Sequence, residues 1–245
     1  MTAPPVPKVS VVIPAFNAAQ YLPQTLASIL RESAADDSNS TGARHALEII
    51  VVDDASQDAT ADIAAAHAAA GVRYLRRATQ GGIGAARNGG IALARGEYLA
   101  FLDADDLWPR GRLDALLAAL QGAADARIAF GQIQHFLCPQ ISAELSRRLH
   151  CPAHPQPGYC AGAMLLRRED FQRVGPFDET LKVGEFIEWF ARARDLGLVP
   201  VMIDEVVLER RIHGANQTIR HRADYRDYVH AVKRALDRRS PRAVS

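Results

Sequence analysis

Tyr98-Leu99-Ala100-Phe101-Leu102-Asp103-Ala104-Asp105-Asp106 decides the reading of the chain: an unbroken apolar run stops in three aspartates. A short apolar run bounded by turn residues is the pattern of a strand buried on both faces. The pattern occurs twice upstream. Val9-Ser10-Val11-Val12-Ile13 is β-branched and is stopped by Pro14, and Leu47-Glu48-Ile49-Ile50-Val51-Val52 ends at Asp53-Asp54. Residues 72–75 supply a further short strand. Helical patterns lie between these runs. Tyr21, Leu22, Leu26, Ile29 and Leu30 share one helix face, Ser56 or Asp58 can cap an alanine-rich helix reaching about Ala70, and a glycine-led helix covers 81–94. Pro109 opens another helix at about 110–120. Alternating strand and helix predict an α/β fold, a mostly parallel sheet flanked by helices on both faces. In such sheets ligands bind beyond the carboxyl ends of the strands, where both acidic clusters fall.

Outside this core the pattern is weaker. Residues 31–45 are polar and small, and read as a long loop. Residues 138–159 hold Pro139, Pro152, Pro155 and Pro157 and read as irregular. Residues 160–167 read as a strand, 184–196 as a helix ended by Gly197, and 199–203 and 206–212 as two short strands. In the tail, Tyr225, Tyr228, Val232 and Leu236 recur at helical spacing in a basic segment.

Composition bounds the function. With 245 residues, the chain is long enough for one full domain and its core. A formal net charge of +1 gives no overall polyanion-binding signal, although the tail is basic. Three cysteines, Cys138, Cys151 and Cys160, argue against a disulfide framework and fit a reducing, cytoplasmic setting. The start of the chain lacks an apolar signal segment, and no apolar run reaches the roughly 18 residues of a membrane span.

The aspartates carry the chemistry. Asp103, Asp105 and Asp106 concentrate negative charge that a hard divalent cation such as Mg²⁺ or Mn²⁺ would relieve while bridging to phosphate oxygens. The alternative is turn and capping chemistry ahead of the next helix. Asp53-Asp54 can accept hydrogen bonds from a base or ribose, while Ser56 and Asp58 suit a helix start. Gly82-Ile83-Gly84-Ala85-Ala86-Arg87 imitates the dinucleotide fingerprint, but Arg87 stands where the third glycine belongs, and the segment does not follow the first strand.

Val11-Val12-Ile13-Pro14-Ala15-Phe16-Asn17, Val51-Val52-Asp53-Asp54-Ala55-Ser56-Gln57-Asp58, Gly84-Ala85-Ala86-Arg87-Asn88 and Phe101-Leu102-Asp103-Ala104-Asp105-Asp106 together resemble, in order and spacing, the successive motifs of family 2 glycosyltransferases. Gly175-Pro176-Phe177-Asp178-Glu179 and Arg211-Ile212-His213-Gly214-Ala215-Asn216 are similar to downstream motifs of that family. The resemblance implies a single GT-A domain: a nucleotide-sugar-binding half at about 8–120, an acceptor half at about 121–220 and a basic helical tail at 221–245. It implies a UDP-type or GDP-type sugar donor, Mg²⁺ or Mn²⁺, and transfer with inversion. By the same resemblance Pro14, Ala15 and Asn17 line the nucleotide pocket, Asp53 contacts the base or ribose with Asp54 beside it, and Arg87 lies near the nucleotide or its phosphates. Asp103 contacts the ribose or the metal's water shell, Asp105 is the metal ligand, and His213 reaches the metal or diphosphate.

One departure bears on the base. The family often opens its catalytic helix with Glu-Asp, whereas this chain reads Gly184-Glu185-Phe186-Ile187-Glu188-Trp189. Glu185 and Glu188 are the candidate bases, with helix-dipole stabilisation as the alternative meaning of both. A nucleotide-sugar-binding module without turnover is the competing function. Nucleic-acid binding through the tail is not expected, because Asp224 and Asp227 interrupt its basic face. The tail is compatible with peripheral contact at the inner membrane face or with a homodimer. The acceptor is undetermined among glycan, lipid-linked, peptide and small-molecule hydroxyls.

Overall fold

A computed structural model describes residues 8–33, 45–214 and 233. The expected basic tail, Lys233 apart, and most of the expected 31–45 loop lie outside the described residues. The chain order is β1 (Val9–Ala15), α1 (Leu22–Ser33), β2 (Leu47–Asp53), α2 (Thr60–Ala66), β3 (Val72–Arg76), α3 (Gly82–Leu93), β4 (Tyr98–Phe101), α4 (Arg112–Gly122), β5 (Ala126–Leu137), α5 (Ala143–Arg148), β6 (Gln156–Pro157), β7 (Met164–Arg167), α6 (Arg168–Val174), α7 (Glu185–Asp195) and β8 (Val199–Ile212). The strands form one sheet in the order β3-β2-β1-β4-β7-β5-β6, and β8 pairs with β5. The first four strands are mutually parallel, and β7 is antiparallel to both β4 and β5.

Strand periodicity builds two cores. Val9, Val11, Ile13 and Ala15 point to the face covered by α1, α2 and α4, where Leu22, Leu26, Ile29, Leu113, Leu116 and Leu117 meet them. Val12, Ile50, Val52, Leu99 and Phe101 point to the other face, against Ala86, Phe171, Phe177 and Trp189. Helix α3 lies close on that face because Gly90 has no side chain: a Cβ there would meet Val12 Cγ1 at 2.4 Å.

Several segments differ from the sequence expectation; residues 138–159, expected to be irregular, hold the short α5 and β6. β5 extends to Leu137 although Gly131, Gln132, Gln134 and His135 dilute its apolar signal. The two short strands expected at 199–203 and 206–212 are a single β8, with its register on β5 shifting where Met202 and Val206 pair with Phe130 and Gln132. Gly131 makes room there, since a Cβ would meet Val207 Cγ1 at 2.5 Å. Cys138, Cys151 and Cys160 are free thiols.

The topology decides where function can sit. β4 runs against β7, and β7 against β5, so β5 and its parallel partner β8 point the same way as β1 to β4. The carboxyl ends of all these strands share one sheet edge. The opposite edge is closed by Glu48, which is buried and accepts hydrogen bonds from Ser10 Oγ, the Arg95 amide and side chain, and Arg73.

Burial opposes the Glu48 charge, but these hydrogen bonds outweigh it and hold the carboxyl below its ordinary range. A depressed folded pKa stabilises the native state above the unfolded-state pKa and loses that contribution as pH falls through the folded one. Glu48→Gln should therefore lower stability by about 1.5–3 kcal/mol at pH 7, with a smaller loss in strongly acid solution. Urea unfolding at several pH values measures both; an equal loss at every pH would show that the charge is not the stabilising feature.

Candidate active site

The carboxyl ends of β1 and β2 are knitted together by short polar side chains. The Asn17 amide donates to Ser56 Oγ at 2.8 Å, and Asn17 Oδ1 accepts from the Gln57 amide at 2.8 Å. Asn17 holds a left-handed φ of 48° to do so. Pro14 and Ala15 are the last buried residues of β1 beside this junction. Asp53 is fully buried: its carboxylate accepts from the Ser56 amide at 2.7 Å and from Tyr74 Oη at 2.5 Å. Asp54 accepts from Arg77 and from the Gly81 and Gly82 amides, the last at 2.7 Å. Gly81 and Gly82 therefore spend their N–H groups on a carboxylate of the chain itself, which engages the first glycine of the fingerprint-like segment. The two expected caps of α2 divide their work. Ser56 binds Asn17, whereas Asp58 accepts from the Thr60 amide at 3.0 Å.

Beyond β4 the acidic turn splits into three environments. Asp106 is buried, accepts from the Arg211 amide at 2.9 Å, and donates its own amide to the Asp103 carbonyl. Burial and the neighbouring Asp105 and Asp103 hold its carboxyl well above the usual range. Asp103 and Asp105 keep 37% and 29% of their side-chain surface open, so these two remain accessible at the carboxyl edge. Asp105 Oδ2 lies 2.9 Å from His213 Nε2. The parallel direction of β8 brings His213 to this turn from the far end of the chain.

Tyr21, expected only as part of a helix face, contacts His213 and links it to Arg211. Arg211 precedes His213 by two positions, so strand alternation points both to one side. Its guanidinium packs 4.9 Å from the Tyr21 ring and donates to the Asp105 carbonyl at 2.8 Å. The Tyr21 ring lies 4.7 Å from the imidazole of His213. Burial and its contact with Cys138 push the Tyr21 hydroxyl up to about 12, so it stays protonated at neutral pH.

Arg87 joins the acidic turn to the candidate base. Its guanidinium is buried and donates to Asp103 Oδ1 at 2.8 Å and to Glu185 Oε1 at 2.5 Å. Burial works against the charge, but Asp103 and Glu185 raise the guanidinium above its ordinary value. The second oxygen of Glu185 makes no hydrogen bond to a described residue. Glu188 faces elsewhere: Arg192 Nε donates to its two oxygens at 2.9 and 3.2 Å, and the Arg192 guanidinium also binds the Val174 and Pro176 carbonyls. The structure thus brings Glu185, Arg87, Asp103, Asp105 and His213 to one edge and leaves Glu188 outside the set. Phe186 packs into an aromatic group with Phe130, Trp189 and Phe190.

Among the described residues no three His, Cys, Asp or Glu side chains form a ready metal cage. Asp105 and His213 offer one oxygen and one nitrogen, and half-open Asp103 a further carboxylate. This donor set suits a hard or borderline divalent ion whose remaining ligands are water and phosphate oxygens.

The Glycosyl transferase family 2 profile matches residues 10–175. The succinoglycan biosynthesis protein ExoO of Rhizobium meliloti is 30% identical over 197 residues, 74% of this chain and 53% of that protein. The teichuronic acid biosynthesis glycosyltransferase TuaG of Bacillus subtilis, itself a tentative assignment, is 32% identical over 150 residues, 60% of this chain and 54% of that protein. The chain spans about half the length of these curated relatives. S. aureus TarS 1-349 in complex with UDP-GlcNAc superposes with a TM-score of 0.72 at 18% identity, over 93% of this chain and 65% of that one. The mannosyltransferase PcManGT of Pyrobaculum calidifontis, in complex with GDP-Man and Mn²⁺, superposes at 0.69 and 19% identity, over 97% and 66%.

Removing Arg87 leaves Glu185 buried without its cation, and breaking a buried pair costs about 3–5 kcal/mol. Arg87→Met should show a loss of that size in denaturant unfolding, and adding Glu185→Leu should recover more than half of it. Additive losses would mean that the two side chains do not form the stabilising pair.

Proposed function

The chain belongs to glycosyltransferase family 2, and on that premise we propose that it moves a sugar from a nucleoside-diphosphate donor to an acceptor hydroxyl with inversion. The observation that carries the reading is the convergence of Asp103, Asp105, His213, Arg87 and Glu185 at the shared carboxyl edge. Pro14, Ala15, Asn17 and the Asp53 end of β2 form the floor for the nucleoside, and Asp54 acts one step back by holding the Arg77–Gly82 loop. The UDP-GlcNAc and GDP-Man complexes of the structural neighbours support a nucleotide-sugar donor.

Asp105 and His213 would hold Mg²⁺ or Mn²⁺, with Asp103 near its water shell; bound there, the ion neutralises charge on the departing diphosphate. Arg87 adds positive potential behind Asp103 and fixes the Glu185 carboxylate. The acceptor oxygen bonds to the anomeric carbon as the carbon–oxygen bond to the diphosphate breaks, and the bonding pair leaves with the nucleoside diphosphate. The acceptor proton passes to the second oxygen of Glu185, which Arg87 leaves unbonded. The acceptor remains a hydroxyl of unspecified class. Among the described residues no helix is long and apolar enough to cross a membrane.

A second reading, a nucleotide-sugar-binding module without turnover, rests on one observation: an aromatic-packed Phe186 where the family often carries its aspartate. Release of nucleoside diphosphate from donor plus acceptor separates the two.

UDP or GDP should stabilise the protein only with Mg²⁺ or Mn²⁺ present, by about 2.7 kcal/mol at a hundredfold excess over Kd. Asp105→Asn should abolish this metal-dependent shift in thermal melting without loss of fold; equal nucleotide stabilisation in EDTA would remove the metal from the account. Glu185→Gln should slow transfer at least about a hundredfold with nearly unchanged donor affinity, whereas Glu188→Gln should act mainly on stability. Collapse of turnover in Glu188→Gln alone would move the base to that residue.

A further inference from the structure

Arg210 is the charged residue of the pocket that the transfer chemistry above leaves unused. It lies near the carboxyl end of β8, in register with His135 of β5. Side chains of residues paired in register stand on the same face. Arg211 and Phe136, the next pair along, stack on each other instead, so Arg210 and His135 turn to the opposite side. The Arg210 guanidinium is largely enclosed, in the field of Asp103, Asp105, Asp106 and Cys160. It makes no hydrogen bond or close ion pair with a described residue. His135 Nδ1 is buried and also has no hydrogen-bond partner. A buried polar atom without a partner costs free energy that a ligand can recover.

From this geometry we infer that Arg210 and His135 form an anion subsite on the acceptor side of the pocket, which takes a phosphate group carried by the acceptor. The inference rests on the donor reading above, because that reading assigns the β1–β2–β4 end to the nucleotide. β5 and β8 lie on the far side of β7 from those strands, so a group bound between them sits across the acidic turn from the nucleoside. The ligand is an anion, since Arg210 is a largely enclosed cation with no close counter-ion among the described residues, and His135 Nδ1 can present an N–H beside it. Burial, Arg210 and His150 hold the imidazole below its ordinary pKa, and an oxyanion beside it would oppose that shift. A divalent ion at Asp105 would cancel the carboxylate field that otherwise competes for Arg210. Metal and acceptor phosphate are therefore expected to bind cooperatively.

The chemistry recognised is a phosphate oxyanion, and two sources share it: the donor's own diphosphate and a phosphate on the acceptor. Inorganic phosphate is the probe, titrated calorimetrically into the full chain before and after saturation with UDP and Mn²⁺. Phosphate should bind the UDP-saturated protein. That binding should weaken at least tenfold in Arg210→Gln and in His135→Leu and be largely restored in Arg210→Lys, with UDP affinity changed less than twofold. Melting curves of each variant confirm that it is folded. Phosphate that binds only the nucleotide-free protein and is displaced by UDP would give Arg210 to the donor diphosphate and overturn the subsite. Absence of phosphate binding in either state would overturn it as well. A protein that takes up neither UDP nor GDP contradicts the donor reading instead, and phosphate binding to the free protein, present or lost in Arg210→Gln, then decides the subsite separately.

Discussion

Arg87 is the interaction on which the site depends. It comes from a helix on one face of the sheet, is almost completely buried, and divides its guanidinium between Asp103 after β4 and Glu185 at the start of α7. An enclosed cation needs its charge compensated, here by two carboxylates, so the three side chains constrain one another. Their separation in the sequence is large, yet the ion pair fixes the acidic turn against the helix that carries the candidate base. Phe177 supports the arrangement with its ring 5.8 Å from the guanidinium. Asn88, one residue on, pins the same loop by accepting from the Phe177 amide and donating to the Phe177 carbonyl.

A second constraint is directional. The antiparallel β7 between β4 and β5 reverses the chain twice, so β8 delivers Arg211 and His213 to the carboxyl edge already occupied by Asp53 and Asp105. Arg112 reinforces this part of the sheet: its buried guanidinium donates to the Gly162, Met164 and Val207 carbonyls and lies 4.2 Å from the Trp108 ring. Burial pushes it down to about 9, still charged at neutral pH, and the carbonyl dipoles take the place of a counter-ion. β8 is tied to the segment after β4 by backbone as well, through the bridge between Leu107 and Glu209.

What was legible in the sequence follows from how locally each feature is encoded. β1, β2, β4 and their acidic ends are continuous apolar runs with abrupt stops, and the amphipathic face of α1 is visible within its own span. β5 was not legible beyond Phe130, because Gly131, Gln132, Gln134 and His135 interrupt its apolar residues and its stability comes from pairing on both sides. The single long β8 was hidden by exposed Asp204 and Glu205, which mark an irregularity and not an end. Among the site residues, spacing alone could not separate Glu185 from Glu188, since both lie in the first turn of one helix. Their partners separate them, Arg87 for one and Arg192 for the other. The commitment of Asp54 to the Gly81 and Gly82 amides was likewise out of reach, because nothing local links a carboxylate to a turn so far ahead.

The central claim is that the Asp105–His213 pair marks where a divalent ion meets a nucleoside diphosphate at the sheet's carboxyl edge. Crystals grown with UDP and Mn²⁺ and measured at the manganese absorption edge test it most directly. The account predicts one anomalous peak beside Asp105 and His213, in contact with the diphosphate, and the nucleoside lying over Pro14, Ala15 and Asn17. Ordered UDP with its manganese peak away from Asp105 and His213, or UDP bound at another edge of the sheet, would contradict it.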